Sequence, residues 1–342
     1  MLRHSAGAAP ESPLTRFSAF AAGVLFESVT GAASAGAAGP DWYLFHPRKA
    51  AARITTTMTA LRMNGIVTAS RAWQQMISSS TPSHERLDDA KTASFTLGPP
   101  LAEAKLAALL LHGFTGSPWE LRPLGEALAA RGVHVVCPRL PGHGTTPEAM
   151  LWAGVNEWLN AATAAFERLK GARRVVVMGL SMGGLLAMVL AARAGGRIHG
   201  LVLMAPAMKL RAPQARALRR LRWLPGLDEK ERWLLKQGSD IESDDARAGA
   251  PVLPRYPLAR VIDLFDLEDL ARESERRITC PSLIIGAVHD HVIDTDEVMA
   301  LQKRLPFSRR LLLQRGFHII PRDTDRAVAF TEIAHFVEEL EE

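Results

Sequence analysis

Apolar runs alternate with amphipathic stretches along the chain from about residue 93 onward. Six runs are almost entirely apolar, which is typical of strands buried on both faces of a parallel sheet. They cover residues 106–111, 133–136, 175–178, 201–204, 283–285 and 311–313. Helical periodicity separates them, notably at residues 155–170 and 325–339 and directly after residue 181. The pattern predicts βαβ units and an α/β fold with a mostly parallel sheet.

The helix expected after the first run has its own N-terminal signal. Ser117 suits the N-cap position, and Pro118 suits the first helical position. Glu120 stands three residues after Ser117, where its side chain would close a capping box. We therefore expect one helix from Pro118 to about Arg131, ended by Gly132.

Between the fourth and fifth runs the strand signal disappears. An insertion here, at about residues 207–277, would lie over the carboxyl edge of the sheet and form a helical cap above a substrate pocket. Residues 209–222 hold six basic residues and no acidic one. That stretch is either a lid helix that contacts a lipid surface transiently, or a solvated helix with Leu218, Leu221 and Leu224 packed beneath it. We favour the solvated helix.

Residues 1–92 differ in composition from the rest of the chain. They contain Gly-, Ala- and Pro-rich stretches, and the apolar run at residues 17–26 is too short to span a membrane. Arginines before that run and small residues after it give it a weak likeness to a secretory signal. A targeting segment, a disordered or loosely helical extension, and a mis-assigned start are the alternatives. We expect an extension outside a catalytic domain at 93–342, and a cytoplasmic protein.

Composition narrows the class of protein. Apolar residues make up 47% of the 342 residues and charged residues 23%, which is typical of a globular protein. The net charge of +5 is not gathered on a recognition element beside aromatic residues, so the sequence does not indicate nucleic-acid binding. Cys137 and Cys280 lack metal-site spacing and cannot form a disulfide framework, so we expect reduced thiols and no metal. The sequence does not fix the oligomeric state.

The third apolar run leads into the strongest chemical motif of the chain. Gly-Leu-Ser-Met-Gly occupies residues 179–183 between a predicted strand and a predicted helix, which is the context required by the G-x-S-x-G pattern. The tight turn needs glycine at 179 and 183, because no Cβ fits where strand and helix cross. Ser181 at its apex is therefore the candidate nucleophile.

Acyl transfer by a serine also requires a base and a carboxylate that orients it. Loops converge only at the carboxyl ends of parallel strands, so both residues should follow strands. Asp290 follows the strand at 283–285 and His318 follows the strand at 311–313, which makes them the candidate acid and base. Asp294 and Asp296 are fallback carboxylates that we expect to begin the next helix.

Other polar residues near these loops have structural interpretations. We expect His112 and His143 to fix loop geometry, and Asp323 to make a structural hydrogen bond. His289 and His291 flank the candidate acid, but no companion set of metal ligands accompanies them.

The tetrahedral intermediate of acyl transfer carries a negative oxygen that two backbone N–H groups must bind. One should belong to Met182, the residue after the nucleophile. The other should belong to Phe114, directly after His112-Gly113 in the loop that follows the first strand.

Five motifs together resemble the α/β-hydrolase superfamily and, within it, the small carboxylesterase and monoacylglycerol lipase group. In chain order they are LHGFTG at 111–116, PGHG at 141–144, GLSMGG at 179–184, HD at 289–290 and GFHII at 316–320. The resemblance covers about two thirds of the chain, from residue 106 onward. It implies an esterase with a small helical cap that acts on carboxylic esters with apolar acyl chains, its partner being a small-molecule substrate, and needs no cofactor.

The same triad also serves thioesterases, acyltransferases, perhydrolases and C–C bond hydrolases, because the pocket selects the substrate. Dehalogenase and epoxide hydrolase chemistry is disfavoured, since both need a carboxylate where Ser181 stands. A non-catalytic binding protein on this scaffold is a further alternative. Such proteins usually lose a member of the triad, and here all three are present.

Overall fold

The computed structural model describes residues 86–229, 232–236 and 238–341, so the interpretations of residues 1–85 lie outside the described part of the chain. Its strands are β1 (Phe95–Leu97), β2 (Ala107–Leu111), β3 (His134–Cys137), β4 (Val175–Leu180), β5 (Gly200–Met204), β6 (Trp233–Leu235), β7 (Arg255–Pro257), β8 (Ser282–Ala287) and β9 (Ser308–Leu313). Seven strands form one sheet in the order β1-β3-β2-β4-β5-β8-β9. β1 pairs antiparallel with β3, and the other pairings of this sheet are parallel. The predicted α/β fold with a mostly parallel sheet is confirmed.

The helices cover both faces of the sheet. They are α1 (Asp89–Thr92), α2 (Arg122–Ala129), α3 (Val155–Glu167), α4 (Met182–Ala194), α5 (Pro213–Leu221), α6 (Asp244–Ala248), α7 (Leu258–Ser274), α8 (Thr295–Ala300) and α9 (Arg326–Glu341). None of those in the described ranges combines the length and the apolar character that a membrane span needs.

Two apolar layers explain why the strand sequences are apolar at nearly every position. Leu109 and Leu111 of β2 belong to the layer that contains residues of α3, α4, α7 and α8. Ala108 and Leu110, which alternate with them, belong to the layer that contains residues of α2 and α9. Successive side chains of a strand point to opposite faces, so burial on both sides removes the usual apolar–polar alternation.

The capping box expected at Ser117 and Glu120 is wrong. Pro118–Leu121 forms a 3₁₀ turn, and the α-helix begins only at Arg122. Ser117 makes no capping hydrogen bond, and Glu120 instead accepts one from Gly113 N at 3.1 Å. The carboxylate is buried, and its bond goes to the loop after β2 and not to the helix start.

The segment at residues 207–277, which we call the cap, contains more than helices. Within it β6 and β7 pair antiparallel in the register Trp233↔Pro257. Three-residue strands leave no periodic signal in a sequence, so the apolar pattern does not predict them. The buried side chains Leu218, Leu258 and Phe265 form a small apolar cluster that joins α5 to the first half of α7. The second half of α7 packs on the main sheet layer, so this helix fastens the cap to the domain.

Structured contacts with the domain begin a few residues before residue 93. Thr92 Oγ1 donates to the carbonyl of Gly144 at 2.6 Å, and Arg139 Nη1 donates to Asp89 Oδ1 at 2.9 Å. Through these bonds α1 is tied to the loops that follow β3.

The crossing of β4 and α4 leaves no room for side chains at two glycines. A Cβ atom on Gly179 would lie 2.1 Å from the carbonyl oxygen of Gly183, and a Cβ atom on Gly183 would lie 1.9 Å from the carbonyl oxygen of Leu111. Both obstacles are backbone atoms, which cannot turn aside as a flexible side chain does. The first turn of α4 is thereby held directly against the end of β2.

We expect Gly183→Ala to lower the free energy of unfolding by about 2–3 kcal/mol or more, because the added methyl group must push two backbone segments apart. Urea denaturation monitored by circular dichroism measures this change. Gly196→Ala is the matched control, since a Cβ atom there meets nothing within 4 Å. Equal stability of the two variants would contradict the close approach.

Candidate active site

Ser181 lies at the turn between β4 and α4, in a backbone conformation that is rare for a residue with a side chain. Its φ is 55° and its ψ is −117°. Ser181 N donates to the carbonyl of Met204 at 2.9 Å, which holds the turn against β5. Strain of this kind persists only where the surrounding structure enforces it. The turn presents the Ser181 side chain to a cavity at the carboxyl edge of the sheet.

Asp290 and His318 come from loops after two neighbouring strands, β8 and β9, and they are in direct contact. Oδ2 of Asp290 lies 2.7 Å from Nδ1 of His318, and both residues are buried. The other carboxylate oxygen of Asp290 accepts from Val292 N and Ile293 N, each at 2.8 Å. These bonds orient the carboxylate toward the ring. His318 lines the same cavity as Ser181.

The contact changes the pKa of both partners. Burial on its own would raise the pKa of Asp290, but the His318 ring and the N–H groups of Ile293 and Val292 stabilise the carboxylate and bring the pKa below its usual 3.8. Burial lowers the pKa of His318, yet the charge and hydrogen bond of Asp290, with smaller contributions from Asp240 and Glu120, raise it above 6.5. The pair is therefore arranged to stabilise a protonated imidazole next to an ionised carboxylate.

The two expected oxyanion donors belong to the residue after Ser181 and to the loop after β2. Met182 is the first residue of α4, where backbone N–H groups have no partner within the helix. Phe114 lies in the loop after β2 and lines the cavity. In the same loop Thr115 has a φ of 59°, another strained conformation.

Two charged residues hold the loop after β2, and sequence reasoning missed both roles. Glu120 accepts from Gly113 N, and Lys236 Nζ of the cap donates to Thr115 Oγ1 at 2.6 Å. Burial raises the pKa of Glu120, an effect that Lys236 opposes, and burial lowers the pKa of Lys236, an effect that Glu120 opposes. The only hint in the sequence is an acidic residue in the otherwise apolar stretch Pro118–Leu121.

The cavity above Ser181 has a volume of about 560 Å³, within the range of small-molecule sites. Its lining includes the polar side chains of Ser181, His318 and Glu120. Its walls are largely apolar and come mostly from the cap, with contributions from Leu210, Leu218, Leu234, Leu258, Val261 and Leu264. Such a site suits a ligand with one polar reacting group and an apolar chain.

The histidines expected to fix loop geometry do so. His112 Nε2 accepts from Leu140 N at 3.0 Å, and His143 Nδ1 donates to the carbonyl of Pro141 at 2.9 Å. Burial lowers the pKa of His112 to about 3 and that of His143 to about 4. Both rings are therefore neutral near pH 7 and serve the loops as neutral hydrogen-bonding groups.

Two carboxylates other than Asp290, namely Asp294 and Asp323, have structural partners. Asp294 caps α8 by accepting from Glu297 N, as expected of a residue that begins a helix. Asp323 accepts from Glu242 N, Ser243 N and Phe317 N, so its structural role is confirmed and reaches the cap.

His291, beside the candidate acid, pairs with a carboxylate of the cap that the sequence did not single out. Its Nδ1 lies 2.8 Å from Asp240 Oδ1. Within the described ranges, no group of three or more His, Cys, Asp or Glu side chains is placed to hold a metal ion.

Comparison with known proteins identifies relatives of the same architecture. The family model described as serine aminopeptidase, S33, matches residues 102–325. The chain is 30% identical over 234 residues to the thermostable monoacylglycerol lipase of Bacillus sp. (strain H-257), covering 68% of this chain and 90% of that protein. It is 27% identical over 239 residues to the carboxylesterase of Bacillus subtilis (strain 168), covering 69% and 93%.

Solved structures agree with these relatives. A structure of LipS and LipT, two metagenome-derived lipolytic enzymes, superposes with a TM-score of 0.66 at 26% identity, covering 75% of this chain and all of the other. The family match spans the serine turn, the cap that follows it in the sequence, and the two loops that carry Asp290 and His318. The chain thus belongs to the serine aminopeptidase S33 family of α/β-hydrolases and is a hydrolase of the carboxylesterase and monoacylglycerol lipase group.

Proposed function

We propose that the chain hydrolyses carboxylic esters with apolar acyl chains through an acyl-enzyme on Ser181. The observation that carries this proposal is the buried contact of Asp290 with His318, a residue that lines the same cavity as Ser181. The names of the two Bacillus relatives, a monoacylglycerol lipase and a carboxylesterase, support the same substrate class.

The proposed proton transfers begin at His318. Because Nδ1 of the ring donates to Asp290, the other nitrogen, Nε2, is the base that takes the proton of Ser181 Oγ. Oγ then bonds to the ester carbonyl carbon, and the C–O bond to the alcohol breaks as Nε2 returns the proton to the leaving oxygen. A water molecule repeats these steps on the acyl-enzyme and releases the acid. Asp290 holds the tautomer and stabilises the imidazolium.

Backbone N–H groups of Phe114 and Met182 are the proposed donors to the oxyanion. One donor of this kind contributes about 3 kcal/mol to the transition state when it is held in place beforehand. Glu120 and Lys236 hold the Phe114 loop by their bonds to Gly113 and Thr115. The helix dipole of α4 adds positive potential at Met182.

The apolar walls favour an acyl chain over a polar acyl group, because each buried methylene contributes about 0.8 kcal/mol. Thioesters and acyl transfer to other alcohols would use the same groups. Rates measured on esters and thioesters of matched acyl length, monoacylglycerols included, separate these reactions.

We also propose transient contact of the cap with an anionic lipid surface. Leu218 of α5 is buried, but Leu221 is 50% exposed, Trp223 58% and Leu224 46%, so the expectation that all three leucines pack beneath a solvated helix is wrong for two of them. Exposed Arg216 and Arg220 lie in the same segment. An apolar surface with basic residues beside it is typical of segments that lie on anionic membranes.

Ser181→Ala should reduce ester hydrolysis by about a thousandfold or more, because the nucleophile is lost. Labelling by a fluorophosphonate probe should disappear with it. The control is Ser117→Ala, which removes another buried hydroxyl whose oxygen has no hydrogen-bond partner in the described structure. Undiminished hydrolysis by a folded Ser181→Ala protein would exclude the proposed mechanism.

The acid limb of kcat/KM should have an apparent pKa above 6.5, because His318 acts as a base only when neutral and Asp290 favours its protonated form. Activity should therefore rise with pH through that value. A profile taken between about pH 5 and 9 with a short-chain p-nitrophenyl ester tests this, with circular dichroism confirming the fold at each pH. A limb at or below 6.5 would count against this electrostatic arrangement.

Replacing both Arg216 and Arg220 by Gln should weaken binding to phosphatidylcholine vesicles containing phosphatidylglycerol by about ten- to thirtyfold, given about 1 kcal/mol for each basic residue at such a surface. Trp223→Ala should weaken it further, and sedimentation with the vesicles measures both. Phe307→Ala is the control. This exposed residue lies at the amino end of β9, whereas the cap lies over the carboxyl ends of the strands. Binding unchanged by all variants would rule out this surface.

A further inference from the structure

A carboxylate of the cap joins the two loops that carry the candidate acid and base. Asp240 Oδ2 accepts from His318 N at 3.2 Å and from His291 N at 3.1 Å. His318 is the candidate base, and His291 directly follows the candidate acid, Asp290. One carboxylate therefore links the backbone of both loops, and its other oxygen meets the His291 ring.

Further bonds between the cap and the base loop, with donors on both sides, make this connection a two-sided clamp. Ile319 N donates to the carbonyl of Asp240 at 3.1 Å. Asp323 of the base loop accepts from Glu242 N at 2.9 Å and from Ser243 N at 3.2 Å, both in the cap. Residues 240–243 are thus bonded to residues 318–323 through both main chain and side chain.

The geometry of the connection suits a carboxylate acceptor. Two backbone N–H groups converge on one oxygen, and a charged acceptor binds such donors about twice as strongly as a neutral one. The Asp240 side chain is only 17% exposed, so the surrounding protein strengthens these bonds. A neutral amide keeps one acceptor oxygen for these two N–H groups but lacks the negative charge that strengthens the bonds.

The position of the clamp ties the cap to the catalytic geometry. Gly238, Ser239 and Asp240 line the cavity, while Asp240 holds His318 through the backbone. Catalysis is sensitive to such placement, since a shift of about 1 Å in a reacting group can lower the rate a hundredfold.

We propose that Asp240 is a positioning residue for the triad: it fixes the separation of the loops bearing Asp290 and His318 and thereby couples the cap to the base. This inference rests on the proposed ester hydrolysis, in which His318 is the base. Asp240 acts through the backbone of His318, and Asp290 remains the partner of the ring.

Kinetics of Asp240→Ala and Asp240→Asn test this role. We expect kcat on a short-chain ester to fall by about ten- to a hundredfold in Asp240→Ala, with KM changed by less than about threefold, and by a smaller factor in Asp240→Asn, which keeps one acceptor oxygen. Asp244→Ala is the matched control, because it removes an exposed carboxylate of the cap that pairs with Arg247 of the same helix and leaves both backbone bonds of Asp240 in place. It should stay within about threefold of the wild type.

The pH profile gives a readout that a purely structural role would not change. The charged groups at His318 are Asp290, Asp240 and Glu120, with Lys236 beside Glu120 and Arg211 bonded to the Asp290 carbonyl. Loss of one negative charge destabilises the protonated ring, so both Asp240 variants should move the acid limb of kcat/KM to lower pH. Asp244→Ala removes one negative charge of the cap but keeps the Asp240 carboxylate, so it should leave the limb in place.

Thermal unfolding identifies variants that fail to fold. If Asp240→Ala does not fold, Asp240→Asn provides the test. A folded Asp240 variant with wild-type kcat and an unmoved acid limb would overturn the proposal, as would a change in KM alone. The low-field proton resonance of His318 Nδ1–H should shift or broaden in the Asp240 variants. If the wild-type protein shows that resonance but hydrolyses no ester, the proposed function fails. The shift of the resonance in the Asp240 variants then still tests the positioning role.

Discussion

The close approach of α4 to the end of β2 is the constraint on which the site depends. Backbone atoms of Gly183 and Leu111 meet where no side chain fits, and the serine turn is left in a strained conformation. The same contact places the loop after β2 beside the first turn of α4. One backbone crossing therefore positions the nucleophile and both proposed oxyanion donors, and the strain is sustained by the packing of the parallel sheet around it.

Buried ionisable side chains hold the loops around the site in place. Glu120 and Lys236 interact electrostatically and both bond to the loop after β2, and the Asp290 carboxylate accepts from His318. Charges are costly to bury, and this cost is offset only where partners and hydrogen bonds satisfy them. Groups held in this way need no reorganisation when charge develops on a substrate, which is the main electrostatic source of enzymatic rate enhancement.

The cap takes part in the site as well as covering it. Lys236 and Asp240 both belong to the cap, yet their bonds go to the oxyanion loop and to the backbone of the base. Apolar side chains of the same segment form most of the cavity wall. Substrate selection and catalytic geometry are therefore properties of one connected structure, held to the sheet by α7 and by the clamp at residues 240–243.

The parallel sheet, the serine turn and the two strand-end loops that carry Asp290 and His318 could all be predicted from the amino-acid sequence. These follow from local signals, namely apolar runs, glycine spacing and the rule that parallel strands bring their carboxyl ends together. Three features depend on contacts between distant segments and could not be predicted: Glu120 bonds to Gly113 and not to its own helix start, β6 pairs with β7, and Asp240 accepts from His318 N. A buried carboxylate bonds to whichever donors the fold brings within reach, and the sequence records the carboxylate without its neighbours.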